Sequence, residues 1–345
     1  MTILRLFAIG FIFICTAFAW AALGTALVVR SEQAHYQLGP AVEGGWGTPL
    51  RQSHPEVWYR SPTGERGQRV IQPEGGRVTV HLESEPKQKG LVWYRTYAAK
   101  FVADYRVKNP TPIPQTLYAA FALPESGGSF SDVSFQFGNG EPTEAAPVEG
   151  VLTDAVIVPP GGEVPLRVSY RTRGLDDWRY DFGEAERIRN FELEMTTDFS
   201  EIDFPVGTGS PSERESVGDG WKLEWNYPDV VNPQPIGMAM PGVLNAGPVA
   251  ARISFFAPVS LLYFFAVLLI FGVMRGVSLH PMNYFFLAAG CFAFQLLFAY
   301  LVDVMPVHGA FALAAGVSLG LVTGYVHAVA GWRLSRVCGV AQFAY

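Results

Sequence analysis

A chain of 345 residues has room for about two domains of ordinary size, and 49% of its residues are hydrophobic. Its charges are unevenly distributed: 20 of the 25 Lys and Arg and 30 of the 31 Asp and Glu lie between residues 30 and 250, a formal balance of −10 for that block. Such a block is solvated and repels polyanions, which excludes a nucleic-acid partner. The three cysteines, Cys15, Cys291 and Cys338, all fall outside it, which excludes a disulfide framework there.

In chain order, residues 1–5 carry one positive charge, Arg5, and residues 6–29 carry none. That run is longer than the roughly 7–15-residue apolar core of a cleavable signal peptide. Ala17-Phe18-Ala19 resembles a cleavage site, yet the apolar run continues to Val29 and Trp20 would directly follow the cut. An uncleaved anchor helix over residues 1–29 is expected.

The acidic block reads as β structure. Residues 77–82, 92–107, 116–123, 132–137, 151–158, 164–171, 178–182, 191–196 and 221–225 are short runs rich in Val, Tyr, Phe and Trp, divided by Gly and Pro. Val164, Leu166, Val168 and Tyr170 alternate with Pro and polar residues, the pattern of a strand with one buried face. Pro159-Pro160-Gly161-Gly162 and Gly138-Asn139-Gly140 signal turns, and Pro110, Pro112 and Pro114 mark an edge or a connection. Residues 207–220 read as a long loop, and residues 226–248 as a proline-rich return. Residues 30–76 fit either an irregular collar at the bilayer, using Trp46, Trp58 and Tyr59, or aromatic core. Together these runs predict an all-β, sandwich-like region of two lobes over residues 30–250.

Residues 253–274, 282–302 and 309–330 are three further apolar runs, each about 20 residues long and long enough to cross a bilayer core. The joints, residues 275–281 and 303–308, are too short to hold a domain. The runs therefore form an antiparallel helical bundle over residues 251–332, four spans in all with the anchor, followed by a cytoplasmic or truncated tail, residues 333–345. Orientation follows from Lys and Arg near the helix ends. With the N-terminus in the cytoplasm, Arg5, Arg275, Arg333 and Arg336 fall inside and Arg30 and Arg252 outside. Both termini are then cytoplasmic and residues 30–250 lie outside the membrane.

The string Leu279-His280-Pro281-Met282-Asn283-Tyr284-Phe285-Phe286-Leu287, the apolar run to Tyr300-Leu301 and Ala310-Phe311-Ala312-Leu313-Ala314 resemble the membrane region of the CreD-type inner membrane protein family. At the front, the anchor, Arg30 and the Trp46-Gly47 segment are similar too. The resemblance implies a bacterial inner-membrane protein with a large periplasmic domain, associated with envelope stress, colicin tolerance and β-lactam response, without an enzymatic activity or an established ligand. Family members continue into further C-terminal helices, so a shortened protein or a cut gene sequence would each account for an end at Tyr345. The expected partners are the lipid bilayer and other membrane or periplasmic proteins or a second copy. No cofactor is expected, and no Cys/His cluster has zinc-ligand spacing. The alternative from another class is the membrane subunit of a transporter or export complex with a periplasmic docking domain.

Gly316, Gly320 and Gly324, extended by Ala312 and Ala328, share one helix face at a spacing of four and form a candidate helix-packing stripe, against an internal helix or a second copy. Gly316-Val317-Ser318-Leu319-Gly320 also matches a nucleophile pattern, but that pattern needs a strand-to-helix turn and no paired acid is evident. His327, about 9 Å inside its helix end, and Gln295, near mid-span, suit hydrogen bonds between helices. An Asp303–His308 hydrogen bond is expected to cap the outer turn, since two ligands do not make a metal site. His280 with Pro281 starts a helix.

Overall fold

The computed structural model describes residues 3–61, 67–90, 92–124, 128–142, 147–242, 244–276 and 279–343. The elements are α1 (Ile3–Trp46), β1 (Leu50–Ser53), β2 (Glu56–Arg60), β3 (Gln68–Ile71), β4 (Gly75–Ser84), β5 (Lys87–Lys89), β6 (Val92–Tyr94), β7 (Thr96–Lys108), β8 (Gln115–Ala122), β9 (Ser131–Phe137) and β10 (Val151–Val158). They continue as β11 (Glu163–Leu175), β12 (Asp177–Asp181), β13 (Arg187–Thr197), β14 (Glu213–Val217), β15 (Gly220–Val231), β16 (Ile236–Ala239), α2 (Ala246–Arg275), α3 (Pro281–Leu301) and α4 (Val307–Phe343). Two units result: a helical one, Met1–Gln37, Gly90–Val92 and Leu244–Tyr345, and a β-rich one, Leu38–Lys89 and Trp93–Val243.

All four helices are long and apolar enough to cross a membrane. The first continues past the apolar run to Trp46, because Arg30, Glu32, Gln33 and Ala34 are good helix formers even though they are polar or small. Within the helical unit Trp20, Leu261, Phe264, Tyr284, Leu287 and Val322 form one buried cluster, and Leu27, Ala250, Phe298, Ala310 and Ala314 another. Gly276 caps α2 in the left-handed region, φ 67°, its N–H donating to the carbonyls of Gly272 and Val273. Residues 277 and 278 of the following joint, and 344 and 345 of the tail, lie outside the described residues.

The last helix is broken at Gly331, where φ is 79° and ψ 176°. Beyond the break the chain doubles back. Ser335 Oγ donates to the Thr323 carbonyl at 2.8 Å, and Gln342 Nε2 to Ser318 Oγ at 2.9 Å. In a straight helix those pairs would be about 18 and 36 Å apart. Leu334, Ser335, Cys338 and Ala341 are the buried side of this return segment.

The β unit contains a seven-stranded sheet, ordered β14-β15-β13-β4-β7-β11-β9, a four-stranded sheet, β10-β8-β2-β3, and a three-stranded one, β1-β12-β16. The large sheet is antiparallel except where β13 runs parallel to β4. Strand β7 alternates buried and exposed residues along nearly its whole length, so Phe101, Ala103, Tyr105 and Val107 all face inward. They join Val78 and Val80 of β4 and Leu117, Ala119 and Phe121 of β8 in one hydrophobic core. The ring of Phe101 lies 5.9 Å from Phe121 and stacks on Tyr170 at 4.9 Å.

Several sequence expectations need correction. The expected loop over residues 207–220 contains β14, whose five residues are all exposed and so lack any burial pattern. The proline-rich return contains the end of β15 and the whole of β16. Residues 92–107 form two strands, parted at Arg95. Residues 30–76 are the end of α1 followed by β1–β3 rather than an irregular collar: Tyr59 is core, Trp58 stacks on Tyr118, and the Trp46 ring takes the Lys87 and Arg173 cations at 5.0 and 4.7 Å.

Two buried polar side chains tie the sheets together. Gln52 of β1 accepts from the Tyr170 hydroxyl of β11 at 2.7 Å and donates to the Ala122 carbonyl of β8 at 3.1 Å, touching all three main sheets. Asn109, just after β7, donates to the carbonyls of Ile113, Val158 and Pro159 and accepts from the Thr111 N–H and hydroxyl. It thereby holds the connection at Pro110–Pro114 against the turn at Pro159–Gly162, where β10 of one sheet passes to β11 of another. Replacing Gln52 by Leu leaves the Tyr170 hydroxyl and the Ala122 carbonyl unpaired and is expected to cost about 2–4 kcal/mol. Adding Tyr170→Phe removes one orphan, so the double variant should recover part of that loss in urea unfolding of the solubilised full chain. A double variant as unstable as the sum of the singles would contradict the role given to Gln52.

Candidate functional site

Inside the helical unit, the side chains singled out by sequence meet unequal fates. The stripe of Ala312, Gly316, Gly320, Gly324 and Ala328 lies on an exposed face of α4, and a Cβ added at any of the three glycines would meet nothing within 4 Å. The buried face of that helix is instead Ala310, Ala314, Ser318, Val322 and Val326. The tightest helix contacts fall at other glycines. A Cβ at Gly290 of α3 would stand 2.8 Å from Val322 Cγ2, and one at Gly24 of α1 would stand 2.9 Å from the Phe255 ring. Neither belongs to a small-residue repeat, so spacing alone could not find them.

Ser318 donates its hydroxyl hydrogen to the Gly290 carbonyl at 2.8 Å while accepting from Gln342, so it binds helices together. Gln295 is buried, and its Oε1 has no hydrogen-bond partner. His327 is exposed, edge-on to the Trp332 ring at 5.7 Å. His280 caps α3, its Nδ1 accepting from the Met282 N–H at 3.2 Å, with Pro281 in the first turn. At the other end, Asp303 pairs with Arg30 of α1 rather than with His308, because a guanidinium offers a carboxylate a full charge and forked donors. Among the described residues, no group of three His, Cys, Asp or Glu is arranged to hold a metal ion.

The β unit carries an open cleft of about 620 Å³ beside the β14–β15 hairpin. Gly218, φ 60°, opens the two-residue turn, and Gly220 follows where a Cβ would overlap the Thr197 carbonyl at 1.8 Å. Trp221 is fixed there by its indole N–H donating to the Ser200 carbonyl at 2.9 Å and its backbone N–H to Thr197 Oγ1 at 3.0 Å. Asp198, Glu201 and Asp219 surround it, so the cleft favours cations over anions.

Sequence reasoning missed a strongly perturbed group in the β unit. His54 lies behind β1 among the rings of Tyr105, Tyr180, Phe182 and Phe191, at 5.3 to 6.1 Å. Its Nδ1 is 2.7 Å from the Tyr180 hydroxyl, which is 2.8 Å from the Tyr105 hydroxyl. Burial lowers the His54 pKa to about 3 and pushes both tyrosine hydroxyls above the ordinary phenol range. The three groups are neutral at physiological pH and form a polar thread through the core. A lone histidine between a strand and Pro55 carries no sequence signal for this.

No protein-family model and no curated protein matches the chain. Among solved structures, one described as "a putative nutrient binding protein" from Legionella pneumophila subsp. pneumophila is similar at 11% identity and a TM-score of 0.41, over 78% of this chain and 99% of that one.

Two outcomes follow from the site geometry. Between pH 6.5 and about 3 the unfolded chain binds a proton at His54 that the folded chain refuses, so stability is full above 6.5 and falls on acidification, by up to about 1.4 kcal/mol per pH unit from this group. In a pH series of urea midpoints, His54→Gln should flatten that part of the slope; an unchanged slope would show His54 charged in the folded state. In the helices, Gly290→Ile should destabilise by about 1–3 kcal/mol through overpacking, whereas Gly320→Ile should stay within about 0.5 kcal/mol. Melting of the solubilised protein compares the two, and a reversed order would contradict the packing described.

Proposed function

We propose that this chain is a multi-pass protein of the bacterial inner membrane, of the CreD type, whose role is non-enzymatic and lies in envelope-stress response or membrane integrity. The N-terminus is cytoplasmic, and residues 30–250 form a periplasmic, sandwich-like region. The observation that carries the topology is the Arg30–Asp303 ion pair, which levels the outer end of the α1 apolar run with the outer end of α3. Arg5, Arg333 and Arg336 then belong to the opposite end, where an excess of arginine marks the cytoplasm. The sandwich reading is supported by the core that the seven- and four-stranded sheets share. The role itself rests on the resemblance of residues 279–314 and of the Arg30 to Trp46-Gly47 region to that family.

A reporter enzyme active only in the cytosol, inserted after Ser212 in the exposed turn before β14, should be silent, and the same reporter fused to the N-terminus active. Activity at Ser212 would invert the topology. For the role, a deletion strain should lose tolerance to β-lactam or colicin and regain it with the full chain; growth identical to the parent strain under both stresses would remove this reading.

A further inference from the structure

The return segment beyond Gly331 builds a feature that the proposed envelope role does not use. Between it and α2 runs a groove of about 520 Å³. Its composition is graded. Arg333 and Arg336 stand near the break with Trp332, and Val340 lies about 10 Å farther along the segment from Arg333, facing Tyr263 and Val267 of α2 across the groove. One end is thus cationic and aromatic, the other apolar.

Neither arginine has an Asp or Glu near it in sequence. Asp303 is the only Asp or Glu after residue 250, and it is engaged by Arg30. Among the described residues, no ion pair involves Arg333 or Arg336. Two guanidinium groups a turn apart offer forked donors suited to a phosphate, and a guanidinium at a helix end sits at headgroup level when its stem lies along apolar surface. An aromatic residue beside them suits the same depth. An apolar channel leading from that point toward mid-span suits a hydrocarbon chain and not a soluble anion. A basic pocket between spanning helices is the arrangement that recognises anionic headgroups.

The geometry points to a site for one anionic phospholipid, its phosphate held by Arg333 and Arg336 and an acyl chain lying along Val340, Val267 and Tyr263. The lipid acts as a wedge between α2 and the return segment, which otherwise is held by the Ser335 and Gln342 hydrogen bonds. The fit is to charge and shape: a zwitterionic lipid offers the chain but adds a cation at the arginines, and free phosphate offers the charge but leaves the apolar end unfilled.

The test uses the purified full chain in neutral detergent, with phosphatidylglycerol, phosphatidylcholine or inorganic phosphate added, read by native mass spectrometry and thermal melting. Phosphatidylglycerol should be retained one per chain and raise the Tm by several degrees; phosphatidylcholine and phosphate should do neither. The double variant Arg333→Gln/Arg336→Gln should melt like the wild type without lipid, since both side chains are exposed and in no ion pair among the described residues, and bind phosphatidylglycerol at least tenfold more weakly. Val340→Trp, which fills the apolar end and leaves both arginines, should weaken it similarly. Equal retention of the two phospholipids, a shift produced by phosphate alone, or wild-type binding by both variants would each overturn the proposal.

Discussion

A polar group that leaves water must find a partner where it goes, and both units of this protein are organised by that requirement. In the β unit the partners are side chains reaching between sheets: Gln52 to Tyr170 and Ala122, Asn109 to Val158 and Pro159, Tyr105 to Tyr180 and His54. In the helices the backbone satisfies itself, and the few hydroxyls turn to carbonyls, Ser254 to Ala250, Thr323 to Leu319, Ser318 across to Gly290. Apolar burial supplies the driving force in the core, but it is nearly indifferent to register. The polar contacts are not, since each costs its full desolvation when misplaced.

This explains why the β unit tolerates a long and irregular route. The chain enters the three-stranded sheet at β1, crosses to the four-stranded sheet at β2 and to the seven-stranded one at β4, and returns to the first at β12. Each crossing lies near a buried hydrogen bond that only the native pairing completes. Gln52 guards the first, Asn109 the passage from β7 to β8 and from β10 to β11. Tyr97, whose hydroxyl donates to the Asp177 carbonyl at 2.6 Å, ties β7 to β12.

How much of this could be read in the sequence depends on how many residues share a signal. A span of about 20 residues without charge is the sum of many like contributions, so all four helices are legible. Long strands with period-two burial, β7 and β11 above all, are legible for the same reason. What fails is whatever rests on one or two residues. The five exposed residues of β14 carry no alternation, and the end of α1 carries no apolar face. Gly24 and Gly290 look like any other glycine until a neighbouring helix is known. The stripe at Gly316, Gly320 and Gly324 shows the converse: a repeat establishes that small residues share a face, and says nothing about what that face meets. His54 and Gln52 are legible only as two polar residues near a proline, because their hydrogen-bond partners on other strands lie 70 to 126 residues away.

The break at Gly331 shows how far one backbone angle can reach. With φ at 79°, a residue bearing a Cβ would be strained there, and the open space around it shows that packing does not forbid one; the conformation itself requires glycine. Were the helix to continue straight, Arg333 and Arg336 would extend beyond the bundle into water, where a guanidinium needs no partner. Turned back, the segment buries Leu334, Cys338 and Ala341 in the core of the helical unit, and helical geometry then carries Arg333, Arg336 and Val340 onto another side, at the groove shared with α2. The arginines are thus brought beside apolar helix surface by the burial of their neighbours and not by any attraction of their own. A charge positioned in that way, in no ion pair among the described residues, keeps its full positive field beside apolar surface.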